Sequence, residues 1–138
     1  MSRLILLVVG FSYVLSGVAM LAQPMWFFDH IGTFPPFNRH YVGDLGSFIL
    51  PIGLALMWSA RDARYARGAV LVALGASTLH LLNHVYDAAV GTVPDRGWSD
   101  VPGLAVVLVL LIVPLWRLPT TSIRTHTTLS GRHPSTPA

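Results

Sequence analysis

The sequence contains no cysteine, no lysine and no glutamate, and each absence restricts the chemistry of the protein. Without cysteine, the chain cannot form disulfides, thiol nucleophiles, cysteine-ligated zinc sites or iron–sulfur clusters. Its cations are nine arginines and its acids are six aspartates, so charged residues are only 11% of the 138. The net charge of +3 is too small and too scattered to predict nucleic-acid binding.

Apolar residues dominate what remains, at 53% of the chain and a mean hydropathy of +0.60. Because so little polar surface cannot cover a water-soluble globule, the composition predicts an integral membrane protein with an all-α fold. Four stretches approach the roughly 20 apolar residues that span a bilayer core of about 30 Å. They predict a four-transmembrane-helix bundle within residues 1–117, with helices near 4–22, 40–59, 66–89 and 101–117. Residues 118–138, rich in Thr, Ser and Pro, are expected to form a disordered cytoplasmic tail.

The arginines predict how such a bundle is oriented. Arg3, the arginines between the second and third stretches and those of the tail share one side if four helices are threaded. Cationic residues favour the cytoplasmic side, so we expect a multi-pass protein of the cell (inner) membrane with both termini cytoplasmic. An alternative is that the first stretch is a signal peptide cleaved near Ala22, which would leave three helices.

Unusual polar residues occupy the outer halves of the second and third predicted helices. His40 and Asp44 are four residues apart, as are His80 and His84, so each pair shares one helix face. Antiparallel packing would place both pairs at a similar depth. An ionised aspartate at the bilayer centre costs roughly 2.5–3.5 kcal/mol, so Asp44 is expected to have a partner.

Imidazoles and carboxylates in this arrangement suit a divalent metal such as zinc, iron or manganese. The hypothesis takes His40, Asp44, His80 and His84 as metal ligands. Residues Asn83 and Asp87 would not bind the metal but would orient the imidazoles that do.

The same residues leave other interpretations open. They could form a structural polar network that fixes helix packing, or a proton relay. Haem bound between His40 and either His80 or His84 is less favoured. A serine hydrolase would need Ser47 or Ser77 as its nucleophile, although serines in membrane helices usually serve packing. The sequence identifies no catalytic residue.

The segment from Pro24 to Asn38, which joins the first two predicted helices, is rich in aromatic residues and broken by Pro and Gly. It favours an aromatic belt at the membrane interface. Alternatively, it forms a lid over the histidines, with Asp29 and His30 contributing to the site.

Two segments carry a resemblance to a known family: Asn38-Arg39-His40-Tyr41-Val42-Gly43-Asp44-Leu45-Gly46 and His80-Leu81-Leu82-Asn83-His84-Val85-Tyr86-Asp87. With the four-helix layout, they resemble small bacterial membrane proteins of the DoxX-like kind. The resemblance implies a compact bundle, in some cases associated with quinone-linked redox systems. It implies no catalytic residues.

These observations lead to two hypotheses about function. In the first, an outward-facing His/Asp site between the second and third helices binds a metal and serves a metal-dependent or redox enzyme, an oxidoreductase for example. Its substrate would be lipophilic and would enter from the outer leaflet. In the second, the bundle is a non-catalytic membrane partner subunit, whose polar cluster serves only helix packing.

Overall fold

A computed structural model describes residues 2–91 and 98–118, and every regular element in these ranges is a helix. The helices are α1 (Ser2–Ala22), α2 (Pro24–His30), α3 (Arg39–Ser59), α4 (Ala63–Val90) and α5 (Val101–Arg117). The predicted all-α class is therefore confirmed, and α1, α3, α4 and α5 coincide with the four predicted stretches to within a few residues. The predicted disordered tail lies outside the described residues, apart from Leu118.

Local chemistry explains where two of the long helices begin and where one ends. The side chain of Asn38 accepts hydrogen bonds from the first backbone amides of α3, and Asp62 accepts one from the amide of Arg64 at the start of α4. Helix α4 ends at Val90 and is followed by Gly91, whose φ of 70° is a left-handed conformation that glycine adopts without steric cost.

The short helix α2 was not predicted, because the sequence indicated an irregular loop there. Pro24 occupies the first helical position, where its missing amide hydrogen has no partner to lose. The helix then presents Phe27 to the protein interior and leaves Trp26 exposed. The connection between α1 and α3 is therefore partly ordered by its own packing.

Three of the described helices are long and apolar enough to cross a membrane, namely α1, α3 and the part of α4 from Arg64 to Val90. By this criterion of length and composition, the chain has the character of a multi-pass membrane protein. Helix α5 is also strongly apolar, but its 17 residues make it shorter than the other three.

Helices α1 and α3 are antiparallel and cross at pairs of glycines. A Cβ atom on Gly53 would lie 2.7 Å from the carbonyl oxygen of Gly10, and one on Gly46 would lie 3.0 Å from that of Gly17. No larger residue fits at such distances. Small residues therefore permit the close backbone approach typical of packed membrane helices.

The buried hydrophobic core lies toward the turn that joins α3 to α4, and we call this region the core end. Its members come from α1, α3, α4 and α5 and from the residue that follows α3: Leu6, Val9, Leu56, Ala60, Ala66, Val70, Ala73 and Leu111. The opposite end, where α4 finishes and α5 begins, holds a pocket and is called the pocket end.

Candidate functional site

The candidate site is built on the last turns of α4, where His80 and His84 share one face. Their ring centroids are 4.7 Å apart and the rings meet edge to face. His84 is largely covered, with 11% of its side chain exposed, whereas His80 is more open. On the same part of the helix, the Asn83 amide nitrogen donates a hydrogen bond of 3.1 Å to Asp87.

Helix α5 supplies a carboxylate to this face. Asp100 immediately precedes the helix, and its Oδ2 atom lies 3.8 Å from Nδ1 of His84, with 26% of the Asp100 side chain exposed. The distance is that of an ion pair when the imidazole is protonated. The two groups therefore form a covered His–Asp pair that joins α4 to α5.

Aromatic residues from the connection between α1 and α3 cover His84 and leave His80 exposed. The ring of Phe34 meets that of His84 edge to face at 5.2 Å, and Phe28 packs in the same manner on Phe37. Gly32 fits closely against Phe27, since an added Cβ would lie 2.8 Å from its ring. The segment thus contacts the site through Phe34, whereas Asp29 and His30 are exposed and do not line the pocket.

A pocket of about 710 Å³ lies beneath this cover. Helices α1 to α5 and the segment before α3 all contribute to its wall, which is mainly apolar. The polar groups gather on the α4 and α5 sides: His80, Asn83, His84, Asp87, Ser99 and Asp100. Its volume and composition are those of small-molecule sites in proteins, which combine apolar walls with a few convergent polar groups.

The predicted pair on α3 lies outside this pocket. Nε2 of His40 is 3.4 Å from Oδ2 of Asp44, so the two residues do stack along the helix as predicted. Their side chains remain 79% and 56% exposed, and neither lines the pocket. The cause is the rotation of α3, whose glycine face is committed to α1.

The metal hypothesis requires both histidine pairs in one place. Among the described residues, no hydrogen bond, ion pair or ring contact links His40 or Asp44 to His80 or His84. Across the same ranges, no group of three or more His, Asp or Glu side chains is placed to hold a metal ion. Within these ranges the structure therefore does not bring the four predicted ligands together.

The hydroxyl groups considered as nucleophiles bond to their own helices. Ser47 donates to the carbonyl of Gly43 at 2.9 Å, and Ser77 donates to that of Ala73 at 2.7 Å. Ser77 is also in a short hydrogen bond with the hydroxyl of Tyr13, which connects α1 to α4. These bonds are typical of structural serines in helices.

Asp100, now central to the site, was not assigned to it from the sequence, whereas Phe34 belongs to the segment that the lid alternative placed over the histidines. An aspartate directly before an apolar helix was visible in the sequence, and aspartate is a common residue at helix N-termini. The approach of Asp100 to His84 depends on how α5 packs against α4, and no local sequence pattern predicts that packing. Phe34 likewise reaches the site through the path of an irregular segment.

Comparisons of the chain with known protein families, curated proteins and solved structures find no match.

Proposed function

We propose that this chain is a four-span membrane protein that binds a lipophilic molecule at the pocket end, with an oxygen-bearing head group beside His84. The observation that carries the proposal is the pocket itself, where apolar walls meet a polar side formed by His80, His84 and Asp100. A molecule with an apolar body and a polar head matches both surfaces.

The fourth span in this proposal is α5. At 1.5 Å per residue its 17 residues extend about 25 Å, and spanning helices of this length are at the short limit for a bilayer core. Its residues contain no charge before Arg117, and it contributes Leu111 to the core. Four spans place both ends of the described chain on one side, and the positive-inside rule assigns that side to the cytoplasm.

The His84–Asp100 pair suits a head group that exchanges a proton or alternates between donor and acceptor roles. In the neutral tautomer that carries its proton on Nδ1, 3.8 Å from the Asp100 carboxylate, the Nε2 atom of His84 is an acceptor. When the imidazole is doubly protonated, Nε2 becomes a donor and the nearby carboxylate compensates the charge. A phenol, a carboxylic acid or a quinone could each use such a group.

The exposed His40–Asp44 pair provides an internal control, because it has the same chemistry without the pocket. We expect His84→Ala to weaken binding of decylubiquinone by about threefold to tenfold, the value of one lost hydrogen bond. His40→Ala should change the affinity by less than about twofold, since an exposed pair contributes little. Dodecylbenzene, which keeps an apolar tail without head-group oxygens, serves as the control ligand.

Binding can be measured by isothermal titration of the purified protein in detergent, with gel filtration to verify that each variant is folded. Equal losses for His40→Ala and His84→Ala would contradict the proposal, as would a wild type that binds neither probe. Equal affinity for both probes would show that the polar side is not used.

The metal hypothesis predicts a different result for His40→Ala and His84→Ala. A metal held by His40, Asp44, His80 and His84 would be lost from either of them, whereas the pocket assigns no role to His40. Elemental analysis of the wild type and both variants therefore distinguishes the two ideas. A metal that is present at one per chain and lost in His40→Ala would favour the four-ligand site.

A further inference from the structure

A second cavity lies at the core end, between α3 and α4. It is a groove of about 930 Å³, and its wall is almost entirely apolar. Helix α3 contributes Leu54, Ala55 and Trp58, and α4 contributes the small residues Gly68 and Ala69. It shares no lining residue with the pocket at the other end of the protein.

The groove exists because α3 and α4 make their closest contacts with other parts of the protein and not with each other along this side. Gly53 of α3 packs against α1, whereas Ala66, Val70 and Ala73 of α4 face the core. The groove side of α4 is left uncovered, and a Cβ atom added to Gly68 would meet nothing within 4 Å. The unfilled volume is therefore a feature of helix rotation.

The end of the groove has the composition of a membrane interface. Arg61 and Tyr65 line it together with Trp58, and both aromatic side chains are exposed. Tyrosine and tryptophan concentrate at the level of lipid head groups, where arginine can reach phosphate. An apolar groove thus ends at a cation, and the four-span placement proposed above puts this cation at the depth of the lipid phosphates.

The charges at this turn leave Arg61 available to an anion. Arg64 binds both oxygens of Asp62, with its Nη2 atom 2.7 Å from Oδ2, so these two charges neutralise one another locally. Among the residues that the structure describes, Arg61 has no carboxylate partner. With Arg67 close by in the sequence, the turn keeps an excess of positive charge.

We infer that the groove binds one anionic phospholipid, with an acyl chain between α3 and α4 and its phosphate at Arg61. Charge complementarity selects this occupant, because a zwitterionic lipid would fill the apolar part equally well but would gain less from the arginine. The inference rests on the membrane placement alone. It does not depend on what the pocket beside His84 binds.

The head-group contact can be tested by native mass spectrometry of the full-length protein titrated with phosphatidylglycerol or phosphatidylcholine. We expect one phosphatidylglycerol to bind in preference, and Arg61→Gln to lower its affinity about fivefold, the effect of one cation near the membrane surface. Arg67→Gln removes the same charge from a residue that does not line the groove, and should have a smaller effect. Equal affinity for the two lipids, or equal effects of the two variants, would overturn the inference.

The acyl-chain contact has its own matched pair of variants. Gly68→Leu places a side chain in the groove, whereas Gly75→Leu makes the same change on α4 at a position that also has open space but lines neither cavity. We expect only Gly68→Leu to displace phosphatidylglycerol, with binding of decylubiquinone unchanged. Retention of the lipid in Gly68→Leu would contradict the inference. So would a wild-type dimer that this substitution converts to a monomer without any lipid preference, since the occupant would then be a second copy.

Discussion

The two ends of the protein use the same helices in different ways. At the core end, Leu56, Val70 and Leu111 are fully buried in the hydrophobic core, and an apolar groove of about 930 Å³ lies beside them between α3 and α4. At the pocket end, all five helices contribute to the wall of a pocket of about 710 Å³, and the His84–Asp100 pair borders it. The buried hydrophobic core thus lies at one end of the bundle, whereas the cavity with convergent polar groups lies at the other.

The glycine contacts of α1 and α3 connect these ends and set the rotation of α3. Because Gly46 and Gly53 both face α1, the rotation of α3 about its axis is fixed, and with it the direction in which every other residue of the helix points. His40 and Asp44 consequently remain exposed near the pocket end, while the groove opens at the core end. We call the contact of Gly10 and Gly17 with Gly46 and Gly53 the glycine seam. This seam therefore determines which polar and apolar side chains of α3 are exposed and which line a cavity.

The strongest test of this comparison is the seam itself. Replacing Gly53 by leucine should lower the free energy of unfolding by about 3 kcal/mol or more, because the new Cβ alone would lie 2.7 Å from two backbone atoms of α1. Thermal unfolding in detergent measures the loss. The matched variant Gly43→Leu, on the same helix with nothing within 4 Å, should change stability by less than about 0.5 kcal/mol. Similar losses for both would show that the seam is not what orders α3.

The next test compares one residue of the core with one residue of the pocket. Leu56→Ala removes a fully buried side chain at the core end and should cost about 2–5 kcal/mol of unfolding free energy. Leu104→Ala, at a partly exposed residue that lines the pocket, should cost about 1 kcal/mol. Thermal unfolding and decylubiquinone binding are measured on both. Leu104→Ala should alter decylubiquinone binding more than Leu56→Ala does. The reverse order would contradict the assignment of packing to the core end and of ligand binding to the pocket end.

The smallest effect concerns the turn at the core end. The hydrogen bonds from the Arg64 side chain, followed by that from its backbone amide, hold the pKa of Asp62 below its usual value. Because the folded state favours the ionised carboxylate, this pair stabilises the protein above the unfolded-state pKa. The contribution is lost as the pH falls through the lower, folded-state pKa.

We expect the wild type to show a slight fall in melting temperature as the pH is lowered through this range, and Asp62→Asn to abolish it. The exposed Asp29 forms no ion pair within the described ranges, so Asp29→Asn should retain the wild-type profile. Identical pH profiles for Asp62→Asn and the wild type would contradict the assigned role of the pair.

Much of the fold followed from patterns that one segment carries by itself. Apolar length predicted α1, α3, α4 and α5, and helical spacing predicted that His40 would meet Asp44 and that His80 would meet His84. These contacts are local, so a period of 3.6 residues is enough to anticipate them. The predicted union of both pairs in one site needed the relative rotation of two helices, which the spacing of polar residues does not contain.

By itself, then, the amino-acid sequence determined the helical class, the apolar spans and the two intrahelical polar pairs, since each depends on residues only a few positions apart. The tertiary structure decided that His84 would pair with Asp100, that Phe34 would cover it and that α3 would turn His40 away. The physical reason is close packing. Which face of a helix is buried depends on where its smallest residues meet a neighbour, and that neighbour comes from a distant part of the chain.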